Sequence, residues 1–511
     1  MAQYAFDEVL ILLNPADSVA VAKRSLAAGD LVGGLTVRAA IPASHKMAIR
    51  EIQAGDRVLK YGQTIGFAFE RIAVGDHVHS HNLTLKDYVR DYAFCSEAKP
   101  LEMIADSATF AGYQRADGRV GTRNYVAVIS NVNCSASTSQ FVRDRFRNAD
   151  FKRDFPNVDG VIAFTHKSGC CVQPGEPMAM LQRTLVGIAR HPNVFGYVMI
   201  GLGCETNQIP VMIESLGLNQ LRPGEPPPTF MTIQERGGVA KTVEAATQAV
   251  RALCLQANQA RRTLHPIGKL TMAMNCGGSD GASGITANPA LGVASDLLVR
   301  HGGISVLAET PEIYGAEHLL TRRAVSREVG EKLVARIHWW EDHVRMHHAS
   351  IDNNPTTGNK AGGLTTIYEK SLGAVAKGGM APLTEVLLYA EQARTPGLSF
   401  MDTPGLDPVS MTGLVAGGCN IGCFTTGRGS VYGCKPAPCL KIATNTPLYD
   451  HMIDDMDINA GTVLDGTETV AQLGRRLFAE LLAVAGGKPT KSEAQGIGDE
   501  EFAPWILGPT F

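Results

Sequence analysis

Apolar and polar positions fall in blocks along the chain. From Gly112 onward, short runs rich in Val, Ile, Met and Phe recur between longer amphipathic stretches. Short apolar runs bounded by Gly, Asn and Ser predict buried parallel strands. They lie at 124–132, 160–166, 195–202, 229–234, 270–276, 304–309, 384–389, 397–402, 420–426 and 438–444. Helices are predicted over 136–148, 178–191, 239–262, 290–301, 328–347 and 468–485. The alternation gives βαβ units and an α/β fold with parallel sheets. A break near Pro266 divides this part into 112–265 and 266–511, and the Pro-rich stretch 221–230 marks a loop. The first 90 residues have another texture: short β-like segments separated by turns such as Ala28-Gly29-Asp30, Ala54-Gly55-Asp56 and Val74-Gly75-Asp76. They predict a small all-β domain over 1–90. Residues 91–111 lack periodicity and form a connector, and a tether of that length lets a module move.

Four of the apolar runs end on a reactive side chain. NYVAVISNVNC ends at Cys134, GVIAFTHKSGC at His166 and Cys170, FGYVMIGLGCE at Cys204 and Glu205, and LTMAMNCGGSD reaches Cys276. Ligands of open α/β sheets bind outside the carboxyl ends of the strands. The arrangement predicts one crevice where Cys134, Cys170, Cys204 and Cys276 meet, apart from Cys95 and Cys254. Thiolates and imidazoles there suit iron or zinc. Any one of these cysteines alone reads more readily as core packing, since free Cys is among the most buried residue types.

Composition narrows the field. The 511 residues carry a net charge of −3, with 44% hydrophobic and 19% charged residues. This is enough apolar matter for several cores, and the absence of a basic run argues against nucleic-acid binding. No apolar stretch reaches the ~18–20 residues that cross a bilayer. The start, MAQYAFDEVL, has no basic n-region of a signal peptide. Eleven cysteines, an odd number, read as free thiols in a reducing cytoplasm.

Other constellations carry chemistry. His45 lies in a loop of the small domain, and HVHSHN places His79 and His81 on one side of an extended stretch, where two imidazoles can bind metal or simply face water. NCGGSDGASGITANP follows a strand and precedes a helix. Its glycines admit a ligand close to the backbone, and the helix start favours an anion such as a carboxylate. Ser279 and Asp280 lie in that loop. It matches neither the Walker loop nor the dinucleotide fingerprint, so no nucleotide is expected. Asn359 with Lys360, and Thr425 and Thr426 with Arg428, occupy two further Gly-rich loops where cations could clamp carboxylates. Glu309 and Glu312 sit at another strand end, where a carboxylate can ligate metal, act as a base or sit at a helix start.

Together, GYQRADGRVGTRN, THKSGC, GLGCE, NCGGSDGASGITANP, AETPEIYGAEHLL, NPTTGNKAGGLTTIYEKSLG, FTTGRG and DMDINAG resemble the altronate dehydratase and galactarate dehydratase family, over nearly the whole chain. The first 90 residues, with SHKMA and YGQTIG, resemble its SAF-type β-clip domain. The resemblance implies a β-clip domain, a linker, a dimerising α/β domain and a Rossmann-like C-terminal domain without nucleotide. It implies a homodimer that dehydrates aldonic or aldaric acids and depends on ferrous or manganous ion. His45, Cys134, His166, Cys170, Cys204, Glu205, Cys276, Ser279, Asp280, Asn359, Lys360 and Arg428 stand on matching motifs. HVHSHN and GLGCETNQ favour the altronate branch, whereas LLTRRAVSREVGEKL and DMDINAGT favour the galactarate branch. Two-subunit sulfolactate lyases share the architecture.

Dehydration needs a base for the C2 proton, an acid for the departing hydroxyl and a Lewis acid for the enediolate charge. The expectation is His45, Glu309 and Lys360 as catalytic groups, and Lys46, Ser279, Asp280, Asn359 and Arg428 against substrate. Metal ligands are expected among Cys134, His166, Cys170, Cys204, Glu205 and Cys276. Two other readings stay open: an iron–sulfur cluster on the thiols, and a carbohydrate-binding module on an inactive scaffold.

Overall fold

The computed structural model describes residues 2–105, 108–218, 222–223 and 227–507. Leu221 and residues 224–226 of the Pro-rich segment lie outside the described residues. All ten predicted strands and all six predicted helices form, with ends moved by a few residues.

The small N-terminal domain is β-structure apart from one helical turn, Phe6–Val9. It has a four-stranded sheet ordered Leu10–Ile11, Val19–Ala22, Lys46–Ala48 and His77–Val78, with two three-stranded sheets beside it. The connector is shorter than its texture implied. A strand, Thr109–Gln114, begins inside it and pairs antiparallel with Thr263–Pro266. The break at Pro266 is therefore the end of a strand that ties the two ends of the middle region together.

The middle region holds a parallel four-stranded sheet, ordered Gly160–Phe164, Tyr125–Ser130, Val194–Gly201 and Thr229–Thr232. The C-terminal region holds a seven-stranded parallel sheet, ordered Leu383–Leu387, Gly397–Met401, Ile304–Leu307, Thr271–Cys276, Ile421–Thr426, Cys439–Ala443 and Ile458–Asn459. Thr271–Cys276 enters first and lies inside the sheet. The chain builds outward on one side, then returns to lay Ile421–Thr426 on the other. Its carboxyl end is thus the point where the strand order reverses, the usual place for a ligand crevice in such sheets.

Side-chain alternation in that strand explains how the regions join. Met272 and Met274 point into a core shared with helices Ala287–Arg300 and Val470–Ala485 and with Val19, Ala48, Ile52 and Ile65 of the small domain. Ala273 points the other way, into a core shared with Ala127 and Ile129 of the middle sheet. The three regions are thus packed through common apolar clusters. Among the described residues, no helix is long and apolar enough to cross a membrane.

Candidate active site

The carboxyl end of Thr271–Cys276 opens onto a cavity of about 460 Å³, lined by Gly277, Gly278, Glu312, Trp340, Asn354, Asn359, Lys370 and Asp407 among others. Gly277 has to lack a side chain, because a Cβ there would collide with the Asp407 carboxylate and the Phe424 ring. Gly278 takes φ +60°, a left-handed conformation natural to glycine.

Behind this wall lies a buried cluster of charge. Lys377 Nζ is 2.8 Å from Cys276 Sγ and 3.4 Å from Glu309 Oε2. Cys276 Sγ lies 3.2 Å from Glu312 Oε2, and the Cys276 amide donates to Glu309 at 3.2 Å. Lys370 donates to Glu312 Oε1 and to Asn354 Oδ1, each at 2.6 Å, and Asn354 Nδ2 donates to Glu312 Oε1 at 2.8 Å. Glu309 stands at φ +70°, a conformation that costs a non-glycine residue about 1–3 kcal/mol and gathers at functional sites. The Glu309 amide donates to Thr403 Oγ1 at 2.9 Å, which fixes the turn.

Burial sets the protonation of this cluster. It pushes the Glu309 carboxyl up to about 8, with the charge of Glu312 adding to the effect. It pushes Asp407 up to about 7, again with help from Glu312. Burial also works against the charge on Glu312, but Lys370 and Lys377 outweigh it and hold that carboxyl below its ordinary range. The Cys276 thiol is driven well up by burial, against the pull of Lys377. Near neutral pH the centre therefore combines an ionised Glu312, two ammoniums, a protonated thiol and two carboxyls poised to gain or lose a proton. Such opposed environments are how a protein prepares acid–base chemistry.

A second cluster sits on the small domain. His45 Nδ1 is 3.0 Å from His77 Nε2, and the ring of His79 stands 4.9 Å from that of His45. Ligand atoms of His45, His77 and His79 lie within 4.8 Å of one another. His79 Nδ1 is buried without a hydrogen-bond partner. Burial, then the neighbouring imidazoles, lowers His77 to about 3; burial and then Lys46 lower His79 to about 4. These rings stay neutral, as metal ligation requires. The trio fits a divalent ion. Cys276, Glu309 and Glu312 also lie close enough, but Lys370 and Lys377 already neutralise that group, and a cation there would face two ammoniums.

Both clusters meet the same two loops, 277–284 and 354–365. The backbone of Ser44 leaves no room for a side chain at Gly281 or Gly363, and Gly363 also abuts the His45 ring. His45 Nε2 lies 3.3 Å from the Ala361 carbonyl. The small domain is anchored here by a buried triad in which Lys46 and Lys60 each donate to Glu369 at 2.9 Å. Lys46 also donates to the Gly363 carbonyl at 2.6 Å. The expected free module is thus held by buried charge. Lys46, expected against substrate, is 0% exposed and fully engaged in this anchor.

The single thiol crevice is corrected too. Cys134, Cys170 and Cys204 stay with the middle sheet and are exposed, whereas Cys276 is buried in the large sheet beside Lys377. The two parallel sheets each have their own carboxyl edge, so four similar run endings do not converge. His166 offers no lone pair for a metal: Nε2 donates to the Ser130 carbonyl at 2.9 Å and Nδ1 accepts from the Ser168 amide at 3.2 Å. Glu205 is 3% exposed and accepts from Asn131 and from the Leu202 and Gly203 amides. Asp280 turns inward and accepts from Ser283, Thr444 and Asn445, so it braces its loop. Asn359 Nδ2 donates to the Ser279 carbonyl at 2.8 Å while Asn359 lines the cavity. Lys360 lines a smaller neighbouring cleft with Asp352 and Thr356. Arg428 is exposed, and its amide donates to the Gly278 carbonyl at 2.8 Å.

Sequence reasoning passed over His77, Asn354, Lys370, Lys377 and Asp407. A signal existed for the lysines: they stand seven residues apart, two helical turns, in an otherwise apolar stretch. His77 shares the alternation of His79 and His81. Asp407 has no such mark, because an acid at a helix start is commonplace.

Comparison with known proteins covers most of the chain. A family model described as D-galactarate/altronate dehydratase, C-terminal, matches residues 267–510. Models for the second domain of D-galactarate dehydratase/altronate hydrolase and for the altronate/galactarate dehydratase SAF domain match 112–258 and 8–86. An altronate dehydratase of Bacillus subtilis (strain 168) is 34% identical over 489 residues, 94% of this chain and 96% of the relative. An altronate dehydratase of Escherichia coli (strain K12) is 36% identical, with the same shares covered. A galactarate dehydratase (L-threo-forming) of the same organism is 37% identical over 474 residues, 91% of this chain and 90% of the relative.

Proposed function

Because the chain belongs to the D-galactarate/altronate dehydratase family and is accordingly a hydro-lyase, we propose that it dehydrates a sugar acid, an altronate-type aldonate in first place, to a 2-keto-3-deoxy acid. One observation carries this reading: a charged centre poised for proton transfer at the wall of a cavity of sugar-acid size. The cavity of about 460 Å³ falls in the range of small-molecule sites.

The chain's own groups suffice for the proton movements. The Lys370 ammonium and the Asn354 amide hold the substrate carboxylate, and Glu312 fixes Lys370 in place. Asp407, near neutral in affinity for a proton, takes the C2 proton. As the C2–H bond breaks, the electron pair forms the C2–C3 double bond and the C3–O bond breaks. The same carboxyl returns the proton to the departing hydroxyl, so water leaves and no net proton is consumed. The enol then tautomerises to the keto acid. Glu309 and Lys377 keep Cys276 and the strand end in register behind this wall.

The family's dependence on a divalent metal is met best by His45, His77 and His79. Ferrous ion is favoured and manganous ion is also suitable. Bound there, it would supply Lewis-acid stabilisation of substrate oxygens. His45, expected as an acid or base, is in this reading a ligand through Nδ1, which turns toward His77 and the rest of the trio, while Nε2 faces the Ala361 carbonyl. A galactarate-type aldarate, favoured by the galactarate-like segments at 319–333 and 455–462, or another hydroxy acid such as sulfolactate is the second reading. The test is turnover of aldonates, aldarates and sulfolactate with ferrous ion under reducing conditions, with detection of 2-keto-3-deoxy product. Formation of that product from an aldonate supports the proposal; a protein loaded with metal that turns over none of them overturns it.

A further inference from the structure

We propose that Trp505, carried on the segment 499–507, is a positioning residue: it fixes the Trp340 wall of the cavity and, through Tyr389, the helix that begins at Asp407. The inference rests on the reading of that cavity as the sugar-acid site. The first observation is where the tryptophans lie. The chain has three, and Trp339, Trp340 and Trp505 form one cluster in which every pair of rings is in contact. Trp339 and Trp340 are neighbours on helix Arg327–Met346, whereas Trp505 arrives from a distant part of the sequence.

The second observation is how the Trp340 ring is held. It lines the cavity and is otherwise buried. Its indole N–H donates to Asp402 Oδ1 at 2.8 Å, and the Thr310 hydroxyl donates to that same oxygen. Thr310 follows Glu309, so Asp402 ties the ring to the turn that carries the buried carboxylates. Trp339 and His343, both on the same helix as Trp340, meet its ring edge-on, at 79° and 77°. Trp505 is the neighbour that covers a ring face: it stacks on Trp340 with ring centres 5.4 Å apart and planes 9° from parallel. Such offset stacking is a preferred aromatic geometry.

The third observation is that the segment is tied down on both sides of Trp505's approach. Asp499 pairs with Arg147 and with Lys435, the latter at 2.9 Å. Phe502 packs edge-on against Phe164 of the middle sheet, with ring centres 5.1 Å apart. The Ala503 amide donates to Thr412 Oγ1 at 2.9 Å, on helix Asp407–Ala416. The Trp505 amide donates to the Tyr389 hydroxyl at 3.3 Å, and that hydroxyl donates to the Val409 carbonyl at 2.8 Å, in the first turn of the same helix. The Tyr389 ring leaves no room for a side chain at Gly413. The segment whose Trp505 backs the Trp340 wall therefore also braces the helix that presents Asp407.

A wall held in this way acts on binding before chemistry. A sugar acid presents C–H groups between its hydroxyls, and an indole whose N–H is already spent on Asp402 offers them an apolar surface. Displacing that wall loosens the fit of the substrate without touching a proton-transferring group. Trp505 meets Trp340 directly and reaches the Asp407 helix only through Tyr389, so the larger effect falls on KM and the smaller on kcat.

The test uses the full chain and compares Trp505→Ala, Trp505→Phe and, as a control, Ile506→Ala at the exposed next position. KM and kcat are measured with ferrous ion on the aldonate or aldarate that the parent turns over. Independently of turnover, solvent exchange of the Trp340 indole N–H is followed by NMR with the metal removed by chelator; its signal is the one that survives in both Trp339→Phe and Trp505→Phe. For Trp505→Ala the expected result is a KM raised about tenfold with kcat within about threefold of the parent. Exchange of the Trp340 N–H should be at least about tenfold faster, because the ring leaves Asp402 more often. Trp505→Phe, which keeps a ring on Trp340, restores both, and Ile506→Ala moves neither. Unchanged exchange in Trp505→Ala overturns the proposal. So does an unchanged KM, even where the melting temperature falls, since Trp505 would then serve stability alone. If Trp505→Ala does not fold, Trp505→Leu is read in the same way. A parent chain that turns over no sugar acid ends the dehydratase reading alone, and the exchange rates then decide whether Trp505 holds the wall.

Discussion

The carboxyl edges of the middle sheet and of the large sheet are written in the same sequence code yet are opposite environments. Each edge is a set of apolar runs that end on Cys, His or Glu. At the middle sheet the thiols face water, and the buried polar groups beneath them are neutral or hydrogen-bonded by backbone amides. At the large sheet Cys276 is 1% exposed and shares its space with Glu309, Glu312, Lys370 and Lys377. The difference comes from what covers the strand ends. The small domain and the loop 354–365 roof the large sheet, so charge there is desolvated and its proton affinities are displaced. The middle edge thus offers solvent-facing thiols, and the large edge a desolvated cluster of charge.

That contrast is broken most directly at Asp407. Asp407→Asn keeps the shape and removes the proton acceptor. Activity is expected to fall by about 10²–10⁴-fold, with substrate binding retained. Steady-state kinetics beside a melting curve measures this; a variant within about threefold of the parent would place the base elsewhere. Next comes the roof. Glu369→Gln leaves Lys46 and Lys60 buried without their carboxylate. Breaking a buried pair costs about 3–5 kcal/mol, so the melting temperature should fall sharply and the small domain should become protease-sensitive. Parent-like stability would show that the triad is not what anchors the domain.

His77→Ala addresses the metal. Bound ferrous or manganous ion should be lost by more than the about 10–100-fold typical of removing a group outside the ligand set, read by metal analysis after desalting. A pH profile sharpens the proton chemistry. Asp407 must be ionised to accept a proton, and its affinity lies at about 7. kcat/KM is therefore expected to rise about tenfold per pH unit up to about 7 and then level. Stability runs the other way. The Glu309 carboxyl rises from 4.5 to about 8 on folding, so its contribution is complete below about 4.5 and is lost as pH climbs to about 8. Denaturant midpoints across that range check the sign.

How much of this could be read from the chain varies with the physics involved. Strands such as 124–132 and 270–276 were legible because burial on both faces leaves an apolar run. Cys276 and Glu309 were legible as strand-end groups. Lys370 and Lys377 were not, because a buried cation is defined by partners up to a hundred residues away. Lys46 shows the converse: a cation beside His45 reads as a substrate clamp until Glu369, 323 residues on, is seen to hold it. The single crevice failed because run endings reveal an edge but not which sheet owns it.

The smallest expected effect is at Cys134, and it tests the comparison from its quiet side. Serine differs from cysteine by one atom, and at an exposed position such a change usually moves stability by no more than about 0.5 kcal/mol. Cys134→Ser is therefore expected to melt with the parent. The same replacement at Cys276 puts a hydroxyl where Lys377 and two carboxylates pack against sulfur. Its shorter bond must break contacts at 2.8 Å and 3.2 Å, and buried polar groups left unpaired cost about 1–3 kcal/mol. Paired denaturation curves in chelator give the two values side by side. Equal costs at both positions would mean that the two edges share one environment, and the distinction between a thiol edge and a charged edge would fall.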